Sequence, residues 1–147
     1  MAFQGYLFKS TANNQIFPMK YIAFDKWSST PKQREEVKAW RDDNTRELFR
    51  ITAQGKKSVF QFTTRENLTD KDVEAILNFF TSAETNHEQR KIQLTYWDEE
   101  SRSYDTGYFY RPNMPFKIKT IRKTGVKNGQ PVYKIIYEAL TIDCIEY

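Results

Sequence analysis

Ser58–Phe80 reads SVFQFTTRENLTDKDVEAILNFF, and within it the hydrophobic period changes from two to 3.6. In its first part Phe60, Phe62 and Thr64 fall on one face and Val59, Gln61 and Thr63 on the other, the alternation of a half-buried antiparallel strand. From Asn67 onward Val73, Ile76, Leu77 and Phe80 stand at i, i+3, i+4 and i+7, a single helical stripe that Phe79 widens. Thr69 is a good N-cap, and Asp70 and Asp72 occupy the first turn, where the positive end of the helix dipole favours carboxylates. The reading predicts a strand followed by one amphipathic helix over about residues 69–82, its apolar face lying on a sheet.

Outward from there the chain alternates almost throughout. KIQLTYW, Lys91–Trp97, sets Ile92, Leu94 and Tyr96 against Gln93 and Thr95, and WDEESRSYDTGYFY, Trp97–Tyr110, reads as two strands joined by a polar turn. Asn128–Gly129 is a strong hairpin signal, because both residues tolerate positive φ. Between Tyr133 and Tyr147 the apolar parity flips: Tyr133, Ile135 and Tyr137 share one phase, Leu140, Ile142 and Cys144 the other. A bulge near Glu138–Ala139, or a strand passing from one sheet to another, would account for that. YLFKS (Tyr6–Ser10) and FPMKYIAF (Phe17–Phe24) read as short strands around the loop TANNQ, while DKWSSTPKQ (Asp25–Gln33) reads as a loop in which Pro31 ends any regular run. The expectation is about eight strands and one helix in a single domain, 1–147. Its class is α+β, mainly β: an antiparallel β-sandwich or half-barrel with one flanking helix.

Composition agrees with a β-rich fold that has contact surface to spare. Aromatic residues make up 16% of the chain, and they favour pleated surfaces and interfaces. The net charge of +4 permits an anionic partner without demanding one. One cysteine cannot form an internal disulfide. The N-terminal residues lack the apolar core of a signal peptide, and no apolar run reaches the roughly 20 residues of a membrane span. These features lead us to expect a soluble protein folded in a cytoplasm.

REEVKAWRDDNTRELFRI, Arg34–Ile51, contains the adjacent acids Asp42 and Asp43. Paired catalytic carboxylates must converge in a desolvated cleft so that one pKa rises while the other stays low. Neighbours at a polar turn diverge into solvent instead. Asp42-Asp43-Asn44-Thr45 has the residues that bond their own backbone in turns, so we read two strands rather than the helix over 33–42 that the composition also allows. Arg34, Arg41, Arg46 and Arg50 then line a hairpin that projects from the domain.

Elsewhere the chemistry is sparse. His87 is the only histidine and cannot build a metal site with one distant cysteine. Cys144, within an apolar strand, reads as a buried thiol. The acids of DEESRSYD, Asp98–Asp105, lack the spacing of a calcium loop. Lys117, Lys119, Arg122, Lys123, Lys127 and Lys134 form a basic hairpin near Phe116 and Tyr133, which could bind a phosphate backbone, protect a strand edge, or meet an acidic protein. No catalytic residue, metal ligand or cofactor site is assigned.

The order of these features resembles small tail-associated proteins of phages and prophages of Gram-positive bacteria, several of which form a family of unknown function. Arg50, GKKSVFQF (Gly55–Phe62), LTDKDVEAILNFF (Leu68–Phe80), LTYWDEE (Leu94–Glu100) and TGYFYRPN (Thr106–Asn113) carry the likeness, which spans about two-thirds of the chain from about Arg34 onward. The N-terminal third and the KTGVKNGQ hairpin do not contribute. The resemblance implies a tail-tube-like fold and a non-catalytic virion structural protein, made in the host cytoplasm. It would form a homo-oligomeric ring at the tube end or baseplate and meet other tail proteins there. On that reading the hairpins around Trp40–Phe49 and Tyr104–Tyr110 dock to neighbours. The candidate interface is then Trp40, Arg41, Arg46, Arg50, Trp97, Tyr108, Tyr110, Lys117, Lys119 and Arg122. The alternative is a nucleic-acid-binding β-domain using the basic hairpin 117–134.

Overall fold

A computed structural model describes residues 2–33, 36–52 and 57–147. In chain order the strands are β1 (Phe8–Ser10), β2 (Ser28–Gln33), β3 (Glu36–Arg41), β4 (Leu48–Thr52), β5 (Lys57–Thr63), β6 (Leu68–Thr69), β7 (Glu84–Asn86), β8 (Lys91–Asp98), β9 (Ser103–Tyr110), β10 (Ile118–Lys127), β11 (Gln130–Tyr137) and β12 (Thr141–Glu146). Among the described residues there is one α-helix, α1 (Asp70–Ala83), between β6 and β7. The fold is α+β, mainly β and antiparallel. A main sheet runs β1-β8-β9-β12-β5-β2, with β7 also on β8; β10-β11-β6 form a second sheet, and β3-β4 stand as a two-stranded ribbon.

Strand register explains the core. Pairs Phe8↔Tyr96, Ile92↔Phe109, Phe60↔Cys144 and Phe62↔Ile142 lie on one face of the main sheet, and all of these side chains are buried. The sheet curls around them. Ser58 on β5 and Tyr96 on β8 are three strand steps apart, roughly 14 Å in a flat sheet, yet their hydroxyls lie 2.9 Å apart. The main sheet is therefore a half-barrel. Helix α1 covers its hollow, with Ile76, Phe79 and Phe80 fully buried. Phe8 sits at the centre, stacked on Phe17 at 4.8 Å, 5.1 Å from Phe60 and edge-on to Phe79 at 5.7 Å. Burying a phenylalanine of this kind contributes about 1.5–3 kcal/mol.

The helix starts where its sequence directs. Thr69 Oγ1 accepts the Asp72 N–H at 3.3 Å, and Asp72 Oδ2 accepts the Thr69 N–H at 3.0 Å, a reciprocal capping box. Its span, 70–83, is one residue from the expected 69–82. Phe79 is wholly buried while Leu77 is only half-buried, so the buried stripe is centred on Ile76 and Phe80 and leaves Leu77 on its shoulder.

The parity flip after Tyr133 is a change of sheet. β11 pairs with β10 and β6, the chain leaves regular pairing at 138–140, and β12 then enters the main sheet between β9 and β5. Thr64 secures the hand-over: its N–H donates to the Leu140 carbonyl at 2.8 Å and its Oγ1 accepts the Leu140 N–H at 2.9 Å.

Four expectations need correction. The described residues form twelve strands rather than about eight, because pieces as short as β1, β6 and β7 carry too few residues to show a period. Phe17–Phe24 is not a strand: two 3-10 turns, Met19–Tyr21 and Phe24–Lys26, replace it. The reason is spacing, because the buried residues Phe17, Tyr21 and Ile22 do not alternate. Residues 28–33 are not loop but strand β2, which pairs with β5 despite Pro31. Pro31 is tolerated because β2 is the sheet's edge and its register breaks between Thr30 and Gln33, where Lys32 has φ of +49°. Finally, Tyr104–Tyr110 does not project. It belongs to β9, inside the main sheet between β8 and β12.

Candidate assembly interface

Ribbon β3–β4 closes on the acid pair that could have suggested catalysis. Asp42 Oδ1 accepts the N–H groups of Asn44 and Thr45, both at 2.8 Å, and the Asp42 N–H and C=O bond Glu47 and Arg46 across the turn. The N–H groups of Thr45 and Asn44 hold the Asp42 carboxyl below the usual carboxylate range. Asp42 is thus the turn's internal acceptor. Arg46 takes φ of +62°, and Arg41 Nη1 donates to its carbonyl at 3.0 Å.

Register divides the ribbon into two faces. Lys38↔Ile51 and Trp40↔Phe49 share one; Ala39↔Arg50 and Arg41↔Leu48 share the other. Trp40 stacks on Phe49 with ring centroids 5.5 Å apart, and Lys38 Nζ lies 5.0 Å from the indole. Trp40 nevertheless remains 43% exposed, and Phe49, Ile51 and Leu48 are exposed as well. Arg34 lies outside the described residues.

Ribbon β10–β11 turns at Asn128 and Gly129, both at positive φ. Pairs Ile118↔Tyr137, Ile121↔Ile135 and Val126↔Pro131, with Lys123↔Tyr133 among them, make one mainly apolar face, while Arg122↔Lys134 and Lys127↔Gln130 load the other with charge beside Val132 and Ile136. On the apolar face Val126 is 64% and Tyr133 58% exposed. Between this face and α1 runs a trough made of two adjoining hollows of about 580 and 440 Å³, which share Asp70. Its lining includes Val73, Leu77, Phe116, Tyr137 and Ile135, with Asp70 and Glu74 of the helix beside the larger hollow and Lys71 and Lys134 beside the smaller.

The candidate residues thus separate. Trp40, Arg41, Arg46 and Arg50 sit together on the β3–β4 ribbon. Lys117, Lys119 and Arg122 belong to the base and charged face of the other ribbon, with Lys119 Nζ bonded to Asn67 Oδ1 at 2.9 Å. Trp97 is covered by the chain itself: only 7% exposed, it packs edge-on to Phe3 and Tyr104 and donates its indole N–H to Glu99. It completes the monomer's own packing and is withdrawn as a docking anchor. Tyr108 stays exposed on the outer face of β9 beneath Lys91, and Tyr110 packs edge-on to Tyr147. Phe49, Ile51, Ile121 and Val126, exposed on the two ribbons, were not among the candidate residues, and Tyr133 was read only as a neighbour of the basic hairpin. Their signal was present in the alternation of each hairpin, but the interleaved charges drew the reading instead.

A second polar cluster lies at the Ser58 end of the half-barrel. Lys32 Nζ is 2.9 Å from Asp98 Oδ2 and 3.4 Å from Asp105 Oδ2, and the Lys32 N–H donates to Ser58 Oγ at 3.0 Å. Glu146 Oε1 accepts the Ser58 N–H at 2.8 Å. Burial pushes the Asp98 carboxyl up, but Lys32 and the N–H groups of Ser101 and Glu100 outweigh it, and the net shift is downward. Lys32 is raised, chiefly by the hydrogen bond to Asp98. It is held protonated, the opposite of a lysine poised as a base.

Cys144 is fully buried, which pushes its thiol well up and away from the nucleophilic thiolate. His87 is exposed and bonded to Glu84. Among the described residues no group of three or more His, Cys, Asp or Glu is arranged to hold a metal ion, and no helix is long and apolar enough to cross a membrane.

Neither the curated proteins nor the solved structures contain a match to this chain. One family model matches, and it does so over residues 1–147. The chain therefore belongs to the family of unknown function DUF6711.

Proposed function

We propose that this chain is a non-catalytic structural subunit of a phage tail or phage-tail-like particle, assembling with its own copies into a ring at the tube end or baseplate and contacting other tail proteins there. The observation that supports it best is the pair of ribbons whose apolar faces, Trp40–Phe49–Ile51 and Ile121–Val126–Tyr133, are left exposed. Monomers rarely leave such faces open, and exposed strand ribbons invite association unless a neighbour covers them. Tail placement rests on the resemblance in sequence order described above.

Sedimentation velocity on the purified chain, with negative-stain imaging of any assembly, tests the reading. Closed rings are the expected result. A chain that stays monomeric up to high concentration, both alone and with the products of the neighbouring genes, would overturn it.

The charged face of β10–β11 supports one other reading, in which Arg122, Lys127 and Lys134 contact a nucleic-acid backbone. Binding would then weaken steeply as salt is added; no binding to duplex or single-stranded DNA or RNA at low salt removes it.

A further inference from the structure

Away from the two ribbons, a pair of arginines stands without a counter-charge. The β8–β9 ladder ends at Lys91↔Tyr110, and the same register carried one step further sets Arg90 against Arg111. Arg90 is fixed by the turn before β8, where it takes φ of +51° and its N–H donates to the His87 carbonyl at 3.3 Å. Arg111 is half-buried against the last turn of α1, its guanidinium carbon 5.5 Å from the centre of the buried Phe80 ring. Its Nε is buried and has no hydrogen-bond partner.

Like charges directly opposite each other on neighbouring strands repel, and a cation withdrawn from water needs a partner to offset its lost hydration. Burial, and after it the Arg90 charge, push the Arg111 pKa below its ordinary value. Glu84 opposes that shift, but its carboxylate is bonded to His87. Cys144 is a neutral thiol, because burial pushes it well up. Neither arginine makes an ion pair among the described residues, whereas Arg65 has Asp72, Arg102 has Glu99, and Lys32 has Asp98 and Asp105. Even Lys91, next in sequence, has its Nζ over the rings of Tyr108 and Tyr147 at 4.9 and 4.7 Å.

We infer that Arg90 and Arg111 together bind one oxyanion, a phosphate or a carboxylate group. A guanidinium presents its N–H donors as a planar fork that matches two oxygens of such a group. Two forks that repel each other when empty are held together by one anion between them. That anion comes either free from solution or as an acidic side chain of a second copy, and the chemistry is the same. The site does not depend on the assembly reading.

Urea unfolding of the full-length chain at low protein concentration tests this, with millimolar inorganic phosphate set against chloride at equal ionic strength. Phosphate should raise the midpoint of the native chain, as a ligand of the folded state does. Arg90→Gln removes the repulsion and should be no less stable than the native chain in chloride. It should nevertheless bind phosphate about 10-fold or more weakly, the loss of one charge-assisted hydrogen bond. Arg111→Lys keeps the charge without the fork and should lose the phosphate effect likewise. Sedimentation velocity distinguishes the sources: phosphate that loosens self-association marks a neighbour's carboxylate in the site, and unaltered association marks a free anion. An equal phosphate effect in the native chain and in Arg90→Gln would put the anion elsewhere, on the basic β10–β11 ribbon for instance, and overturn the site. Phosphate that does no more than chloride overturns it equally.

Discussion

Lys32 Nζ lies 2.9 Å from Asp98 Oδ2, although four strand steps, roughly 19 Å in a flat sheet, separate β2 from β8. The ion pair joins the edge strand to the far side of the half-barrel across its inner face. It also uses the bulge at Lys32, whose φ of +49° turns the side chain off the strand edge.

This pair predicts how stability depends on pH. The Asp98 pKa is lowered on folding, so its contribution is present above the ordinary value of 3.8 and is lost as pH falls through the folded value. The Lys32 pKa is raised, so its contribution is present below 10.5 and is lost as pH rises through the folded value. Asp98→Asn should flatten both limbs of the urea-midpoint profile. Asp98→Ala, which also leaves the Glu100 and Ser101 N–H groups without their acceptor, should cost about 1–3 kcal/mol. Unchanged limbs in Asp98→Asn would contradict the assignment.

Phe8 touches strand, helix and N-terminal turn at once, and it is fully buried. Phe8→Ala should destabilise the chain by about 3–5 kcal/mol, read from chemical unfolding. A loss below about 1 kcal/mol would mean that this cavity collapses freely.

Gly107 lies under the Glu146 carboxylate, and any Cβ there would overlap Glu146 Oε2. Gly107→Ala should push Glu146 aside and release the Ser58 N–H that it accepts, at a cost of about 1 kcal/mol. In a Glu146→Ala background the same substitution should cost much less. A double-mutant cycle with no coupling between the two positions would show that the clash is relieved elsewhere.

Charge reversal at Arg46 and Arg50 should impair assembly while leaving the folding midpoint within about 0.5 kcal/mol, the usual range for surface changes. Arg41 bonds the Arg46 main-chain carbonyl, so Arg46→Glu keeps that turn contact. Parallel sedimentation and urea titrations read the two effects separately. Normal assembly of the doubly reversed chain would remove the arginines from the interface.

The parts of the fold that follow a strict period were legible in the sequence. The alternation at Phe60 and Phe62, the helical stripe through Ile76 and Phe80, the Thr69 cap and the Asn128–Gly129 turn each depend on neighbours a few residues away. The flip between Tyr137 and Leu140 also showed, because a change of sheet reverses which parity is buried. What did not show depends on distant pairing. β2 looks like loop until β5 supplies a partner that tolerates Pro31 at an edge, and the half-barrel's curl appears only once Ser58 meets Tyr96. Trp97 and Trp40 are alike in sequence. Phe3 and Tyr104 cover one, and among the described residues Phe49 stacks on the other but leaves it exposed.

The continuous passage of chain from β11 through 138–140 into β12 has a mechanical consequence. β12 is gripped by β9 on one side and β5 on the other, so a pull on the outer ribbon arrives as shear along two ladders of backbone hydrogen bonds. Many such bonds must then yield together, where a strand peeled from an edge would lose them one by one. Strain from outside is delivered to a strand held on both sides.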